Sequence, residues 1–144
     1  MRLYKPSKIA LATLDAYVNA DYWVGGSTPF TLKIDCFSPQ LQFFLQHHQS
    51  HCAALITAFN PYSQMLTPQQ NACADRRLLA ELSRRQLTYI EGVSSDPQQQ
   101  WSHEKSYLIL NLALNQSKRL AQQFQQNGLV WSDADAIPRL VLVR

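Results

Sequence analysis

The chain has 144 residues, 46% of them hydrophobic, with 13 Lys and Arg against 10 Asp and Glu for a net charge of +3. That length fits one domain, 1–144, with a core large enough to need no staples. The three cysteines, Cys36, Cys52 and Cys73, form no CxxC pair, and no stretch reaches the roughly 18 apolar residues of a membrane span, which argues against a disulfide framework and a transmembrane protein. With no apolar run after the basic N-terminal residues, no signal peptide is expected, and the chain reads as reduced, cytoplasmic and soluble. Charged residues are only 16% of the total, and Gln and Asn take over much of the polar surface, a composition compatible with a homo-oligomer.

In chain order, Ser7 can cap a first helix in which Ala10, Leu11, Leu14, Tyr17 and Val18 recur at helical spacing. That helix should end near Asn19, before the Gly25-Gly26 turn. Residues Phe30 to Asp35 alternate as a half-buried strand. Ser38-Pro39 opens a second helix with Leu41, Phe44, Leu45 and His48 inward. A central strand, Ala53 to Phe59, follows, and the short connections make these two strands parallel neighbours in a βαβ crossover.

Thr67-Pro-Gln-Gln70 matches a capping box, opening a helix to about Arg85 with Leu78, Leu79 and Leu82 on its inner face. Stepping back by helical spacing puts Asp75 and Asn71 on that face, so Asn71 should point toward the loop carrying Asn60 and Ser63. Leu87 to Val93 reads as a strand, Ser94 to Trp101 as a loop too long for a tight hairpin, and Ser106 to Leu112 as an interior strand. Asn115 caps a last helix with Leu120, Ala121 and Phe124 inward, stopped at Asn127-Gly128. Leu129 to Trp131, a turn at Asp133 to Asp135 and Leu140 to Val143 close the chain as a β-hairpin. The expected fold is α/β (α+β): one domain, a central mixed sheet of about five or six strands with a βαβ unit, about four packing helices and a C-terminal hairpin.

The run Ile56-Thr-Ala-Phe-Asn-Pro-Tyr-Ser63 followed by Asn71 resembles the signature of a bacterial family labelled domain of unknown function 3293. Trp101-Ser-His-Glu-Lys-Ser106 and Phe124-Gln-Gln-Asn127 resemble its later motifs, so that the likeness runs from about Tyr17 to Val143. Gln125 departs from the pattern, standing where a small residue is usual. The resemblance implies domain boundaries and candidate site residues, and no activity.

Thr57, Asn60, Ser63 and Asn71 are hydroxyls and carboxamides gathered at the end of the central strand, where α/β proteins often place ligands. They describe either a pocket for a small polar or anionic ligand or a set of side chains that tie down an irregular loop by bonding its backbone. The start of the helix at Pro68 would add free N–H groups suited to an anion. Glu104 and Ser106, with Trp101, could wall the same pocket, while Glu91 and Asp96 are further carboxylates near the long loop. His47 and His51 would form a metal pair only if their helix continued past Gln49, so no metal site is expected. No GxSxG, no Cys–His nucleophile pair and no glycine-rich phosphate loop is present, so neither an enzyme class nor a cofactor is indicated. Arg76, Arg77, Arg84 and Arg85 share a helix and could follow phosphates, although Asp75 and Glu81 lie in the same helix. Binding of a small polar molecule is therefore the leading expectation, and a protein- or nucleic-acid-binding module the alternative.

Overall fold

The computed structural model describes residues 8–99 and 101–144. Among the described residues, four α-helices accompany one seven-stranded sheet: α1 (Leu11–Asn19), β1 (Asp21–Val24), β2 (Phe30–Leu32), α2 (Pro39–His47), β3 (Ala53–Ile56), α3 (Pro68–Arg84), β4 (Tyr89–Ser95), β5 (Glu104–Leu110), α4 (Leu114–Gln123), β6 (Gly128–Ser132) and β7 (Arg139–Leu142). The α+β class, the four helices and the C-terminal strand pair agree with the sequence. Among the described residues, no helix is long and apolar enough to cross a membrane.

The sheet order is β2-β1-β4-β5-β3-β6-β7, and every neighbouring pair is antiparallel. The expected mixed sheet with β2 and β3 as parallel neighbours is thereby corrected. Those strands do run the same way, but β1, β4 and β5 lie between them. The period-2 pattern identifies a strand without naming its partner, and both edges of β3 are taken by β5 and β6. β1 had no counterpart in the sequence reading, because Asp21 to Val24 is four residues directly behind a helix.

Crossover units do occur, one pair of strands further along. β3–α3–β4 encloses β5, and β5–α4–β6 encloses β3. The order β4-β5-β3-β6 with both helices on one face is a split βαβ, or ferredoxin-like, arrangement. Ala54, Ile56, Tyr107, Ile109 and Leu129 bury that face under Ala74, Leu78 and Leu82 of α3 and Leu120 and Ala121 of α4.

The opposite face curls over a second core, where Leu55, Leu108, Leu110 and Val130 meet Tyr22, Val24 and Leu32 from the β1–β2 hairpin and Leu41 and Leu45 from α2. The curl is tied across its ends: Asp35 N–H donates to Pro138 O at 2.7 Å and Ser38 N–H to Ala136 O at 3.0 Å. Because the residues of β3 and β5 face alternate cores, β3 and the Tyr107–Leu110 part of β5 are continuously apolar, like the interior strands expected.

Local chemistry sets the helix ends. Ser38 accepts from Leu41 N–H with Pro39 in the first turn, and Thr67 and Gln70 form the expected reciprocal box. Asn71, Ala74, Asp75, Leu78 and Leu82 are the buried face of α3, as helical spacing required. At the C-termini, α2, α3 and α4 all stop on a left-handed glutamine: Gln49, Gln86 and Gln125, with φ of 53°, 54° and 56°. Each is followed by the paired bonds of a Schellman motif, such as Ser50 N–H to Leu45 O and Gln49 N–H to Gln46 O.

Several sequence-based boundaries move for these reasons. α4 starts after Ala113 rather than Asn115 and stops at Gln125 rather than Asn127-Gly128, because Gly128 is already in β6. β3 ends at Ile56 rather than Phe59, and β4 and β5 are displaced by about two residues from their expected spans. α1 has Ala10, not Ser7, at its cap position, and Ser7 lies outside the described residues. The expected α1 stripe is also corrected: Leu11 is 78% and Val18 45% exposed, and Thr13, Leu14, Ala16 and Tyr17 are the half-buried side. In α2, His48 is exposed, although its ring packs on Phe44 with centroids 4.4 Å apart.

Candidate functional site

Strand alternation creates the site. On β5, Leu108 and Leu110 point into the curl, so Ser106 and Glu104 point the same way further along the strand. Their partners on β4 are Gly92 and Ser94, and Ser94 in turn faces Tyr22 of β1. Thr57 continues the inward row of β3 beyond Leu55, and Gly128 that of β6 beyond Val130. Deeper layers of this face are Leu, Ile and Val, whereas this end is Gly, Ser and Thr. The small side chains leave a cavity of about 310 Å³ at one mouth of the curl. Ala12, Thr13, Ala16 and Tyr17 of α1 cover it from one side, with Met65 and Trp101 from the loops.

Five of the six residues singled out in the sequence border this space: Thr57, Asn60, Ser63, Glu104 and Ser106. Asn71 stands behind Asn60. Its Oδ1 accepts Asn60 N–H at 2.9 Å and its Nδ2 donates to Asn60 Oδ1 at 2.9 Å. Asn60 Oδ1 also accepts Leu66 N–H at 2.9 Å, and Asn60 Nδ2 donates to Glu104 Oε1 at 3.1 Å. Thr57 Oγ1 donates to Lys105 O and accepts Phe59 N–H. Thr57, Asn60 and Asn71 therefore serve the loop backbone, and Asn60 additionally orients a cavity carboxylate.

That loop is strained. Asn60, Tyr62 and Ser63 all have positive φ, at 46°, 54° and 58°, in a 3₁₀ turn spanning Pro61–Ser63. Asn tolerates this region; Tyr and Ser do so only when the surroundings hold them. Tyr62 N–H donates to Gln125 O at 2.8 Å, and the Arg144 guanidinium lies 4.1 Å over the Tyr62 ring. Ser63 Oγ bonds Tyr17 OH, and Asn127 Nδ2 donates to both hydroxyls, at 3.1 Å and 3.0 Å. This links α1 to the loop and to the end of α4.

Two polar groups on the cavity wall are left unmatched by the described residues. Ser106 is 1% exposed, and its hydroxyl has no hydrogen-bond partner among the described residues. Glu104 has one oxygen on Asn60, and no donor among the described residues reaches the other. Burial raises the Glu104 carboxyl to about 7 against the opposing effect of the Asn60 bond. Burial, then nearby Tyr17 and Glu104, holds the Tyr22 phenol above its usual range, and its hydroxyl donates to Tyr17 O at 2.6 Å.

The other constellations do not assemble here. Glu91 is exposed beside Lys105 at 3.2 Å, and Asp96 accepts Gln98 N–H on its own loop. Asp75 is buried on the other face, where both oxygens accept from Tyr107 OH at 2.8 and 2.9 Å, so it does not offset the surface arginines. Glu81 does, bonding both Arg84 and Arg85, while Arg77 lies over the Phe124 ring. The start of α3 does not border the cavity, and its capping box already uses the Thr67 and Gln70 N–H groups. α2 ends at His47, so His51 does not fall one turn beyond it, and no group of three His, Cys, Asp or Glu suited to a metal occurs among the described residues.

Sequence reasoning missed Tyr17, Tyr22 and Asn127. Asn127 stood in the third motif quoted above, but the tyrosines lie in segments whose pairing with the site only the sheet order reveals. Ser94 was legible in principle, since the alternation Ile90-x-Gly92-x-Ser94 parallels Glu104-x-Ser106-x-Leu108.

No curated protein and no solved structure gives a significant match to the chain. A family model described as "Protein of unknown function (DUF3293)" matches residues 56–129, a narrower span than the resemblance implied. The matched segment runs from the last residue of β3 to the second of β6, which takes in α3, β4, β5 and α4 and carries most of the cavity wall. As the match covers just over half of the residues, the chain belongs to the DUF3293 family.

Proposed function

We propose that this protein binds a small polar molecule in the cavity at the mouth of the curled sheet. The observation that carries the reading is a buried hydroxyl, Ser106, with no hydrogen-bond partner among the described residues, on the wall of a cavity of about 310 Å³ that Glu104, Ser63 and Asn60 also border. Unpaired buried polar groups cost free energy, and a ligand that bonds them recovers it. The volume is at the low end of the roughly 300–1,000 Å³ usual for ligand sites, which favours a metabolite-sized occupant. Tyr17, Tyr22, Trp101, Leu129 and Leu140 offer apolar surface for its body. A macromolecular partner on the arginine face has less in its favour, since Glu81 already holds Arg84 and Arg85.

The test is a thermal-shift screen against nucleosides, sugars, amino acids and simple amines, on wild type and Ala16→Phe together. Ala16 borders the cavity from α1, a helix with no buried residue, so a ring there fills the space without disturbing either core. A ligand that raises the melting temperature of wild type and not of Ala16→Phe is the expected result. Absence of any hit, or a hit indifferent to Ala16→Phe, would sink the reading.

A further inference from the structure

The charge of the ligand can be read from the wall, given the binding site proposed above, on which this inference rests. Glu104 is the one ionisable carboxyl among the described residues lining the cavity, and none of those residues is Lys, Arg or His. One of its oxygens accepts from Asn60 Nδ2 and the second meets no donor among the described residues. Glu104 is half-buried, a carboxylate partly withdrawn from water is costly to ionise without a cation, and the described lining residues supply none. Three aromatic residues, Tyr17, Tyr22 and Trp101, border the same space. An aromatic face turned to a ligand attracts an ammonium group. The unpartnered Ser106 hydroxyl adds an oxygen that can accept from an N–H.

We propose that the cavity takes a small organic cation, a primary amine or amidine on a short apolar body, with Glu104 as its counter-ion. The ammonium supplies the missing donor to the second Glu104 oxygen, and the apolar body lies against the aromatic and aliphatic wall. An anionic ligand would hold Glu104 protonated and would find no Lys, Arg or His on the described wall to compensate its own charge. A neutral ligand of the same shape would leave the carboxyl to remain protonated.

The experiment is calorimetric titration of the full chain with butylamine, benzylamine and benzamidine, each beside a neutral alcohol or amide of the same shape and the matching carboxylate. Expected is binding of at least one cation, favoured at least about tenfold over its neutral partner, with the carboxylate weakest. Glu104→Gln should abolish the preference, while Glu104→Asp, which keeps the charge, should retain it at lower affinity. Neutral compounds binding as well as the cations, or a preference that survives Glu104→Gln, would overturn the assignment and leave the site itself standing. If neither these compounds nor the wider screen bind, the site itself is refuted and this assignment with it.

Discussion

Glu104 ties the candidate site to stability. Its folded-state carboxyl sits at about 7, above the 4.5 of a free side chain, so the folded protein holds this proton more tightly than the unfolded one. The associated stability is fully present below about pH 4.5 and is lost as the pH rises through 7, by about 3 kcal/mol at most. Tyr22 faces the same carboxyl but stays protonated throughout this interval. Urea denaturation between pH 5 and 8 should show wild type losing stability relative to Glu104→Gln, whose amide can still accept from Asn60. Parallel curves for the two proteins would show that the carboxyl is not buried as described. A second residue-scale prediction concerns Asp75, whose carboxyl lies under α3 with Tyr107 OH on both oxygens. Tyr107→Phe removes those bonds and strands a buried charge, so a loss of about 2–3 kcal/mol is expected from equilibrium unfolding. A change within experimental error would mean that water reaches Asp75.

At the scale of elements, the recurrent left-handed glutamine is a source of improvable stability. Gln49 and Gln86 occupy Schellman positions where glycine has no Cβ to strain. Gln49→Gly and Gln86→Gly should each stabilise the fold by about 0.5–1 kcal/mol, and their effects should add because the sites are on different helices. Lower melting temperatures would mean that the glutamine side chains make contacts worth more than the strain. Gln125 is the third such position, the left-handed stop of α4, and its carbonyl receives Tyr62 N–H from the strained loop.

For the molecule as a whole, the curl depends on the close approach of β1 to β4. A Cβ on Gly92 would lie 2.4 Å from the Trp23 carbonyl oxygen. Gly92→Ala must therefore push the β1–β2 hairpin off the sheet, with a cost of about 1–3 kcal/mol or more. Because Gly92 pairs with Ser106 and Tyr22 with Ser94, the cavity should loosen with it, and ligand-induced thermal shifts should shrink more than those of an equally destabilised variant at the far core. Unchanged stability would show that the two strands are free to separate.

The sequence by itself determined whatever depends on residues close in the chain. The capping box at Thr67, the Ser38 cap and the inward face of α3 follow from spacings of three and four, and the same spacing aims Asn71 at Asn60. Polar residues after Ile56 and before Leu108 likewise marked Thr57, Asn60, Ser63, Glu104 and Ser106 as neighbours of an unusual strand end. The tertiary structure alone decided strand partners, because a period of two carries no address: β2 joined β1 rather than β3, and β1 itself was too short to register. It also divided the polar cluster, giving Asn71 and Thr57 to the loop backbone and leaving Glu104 and Ser106 facing open space. That division rests on which donors come within hydrogen-bonding distance, and distance between segments 40 residues and more apart is set by the packing of two cores, not by local spacing.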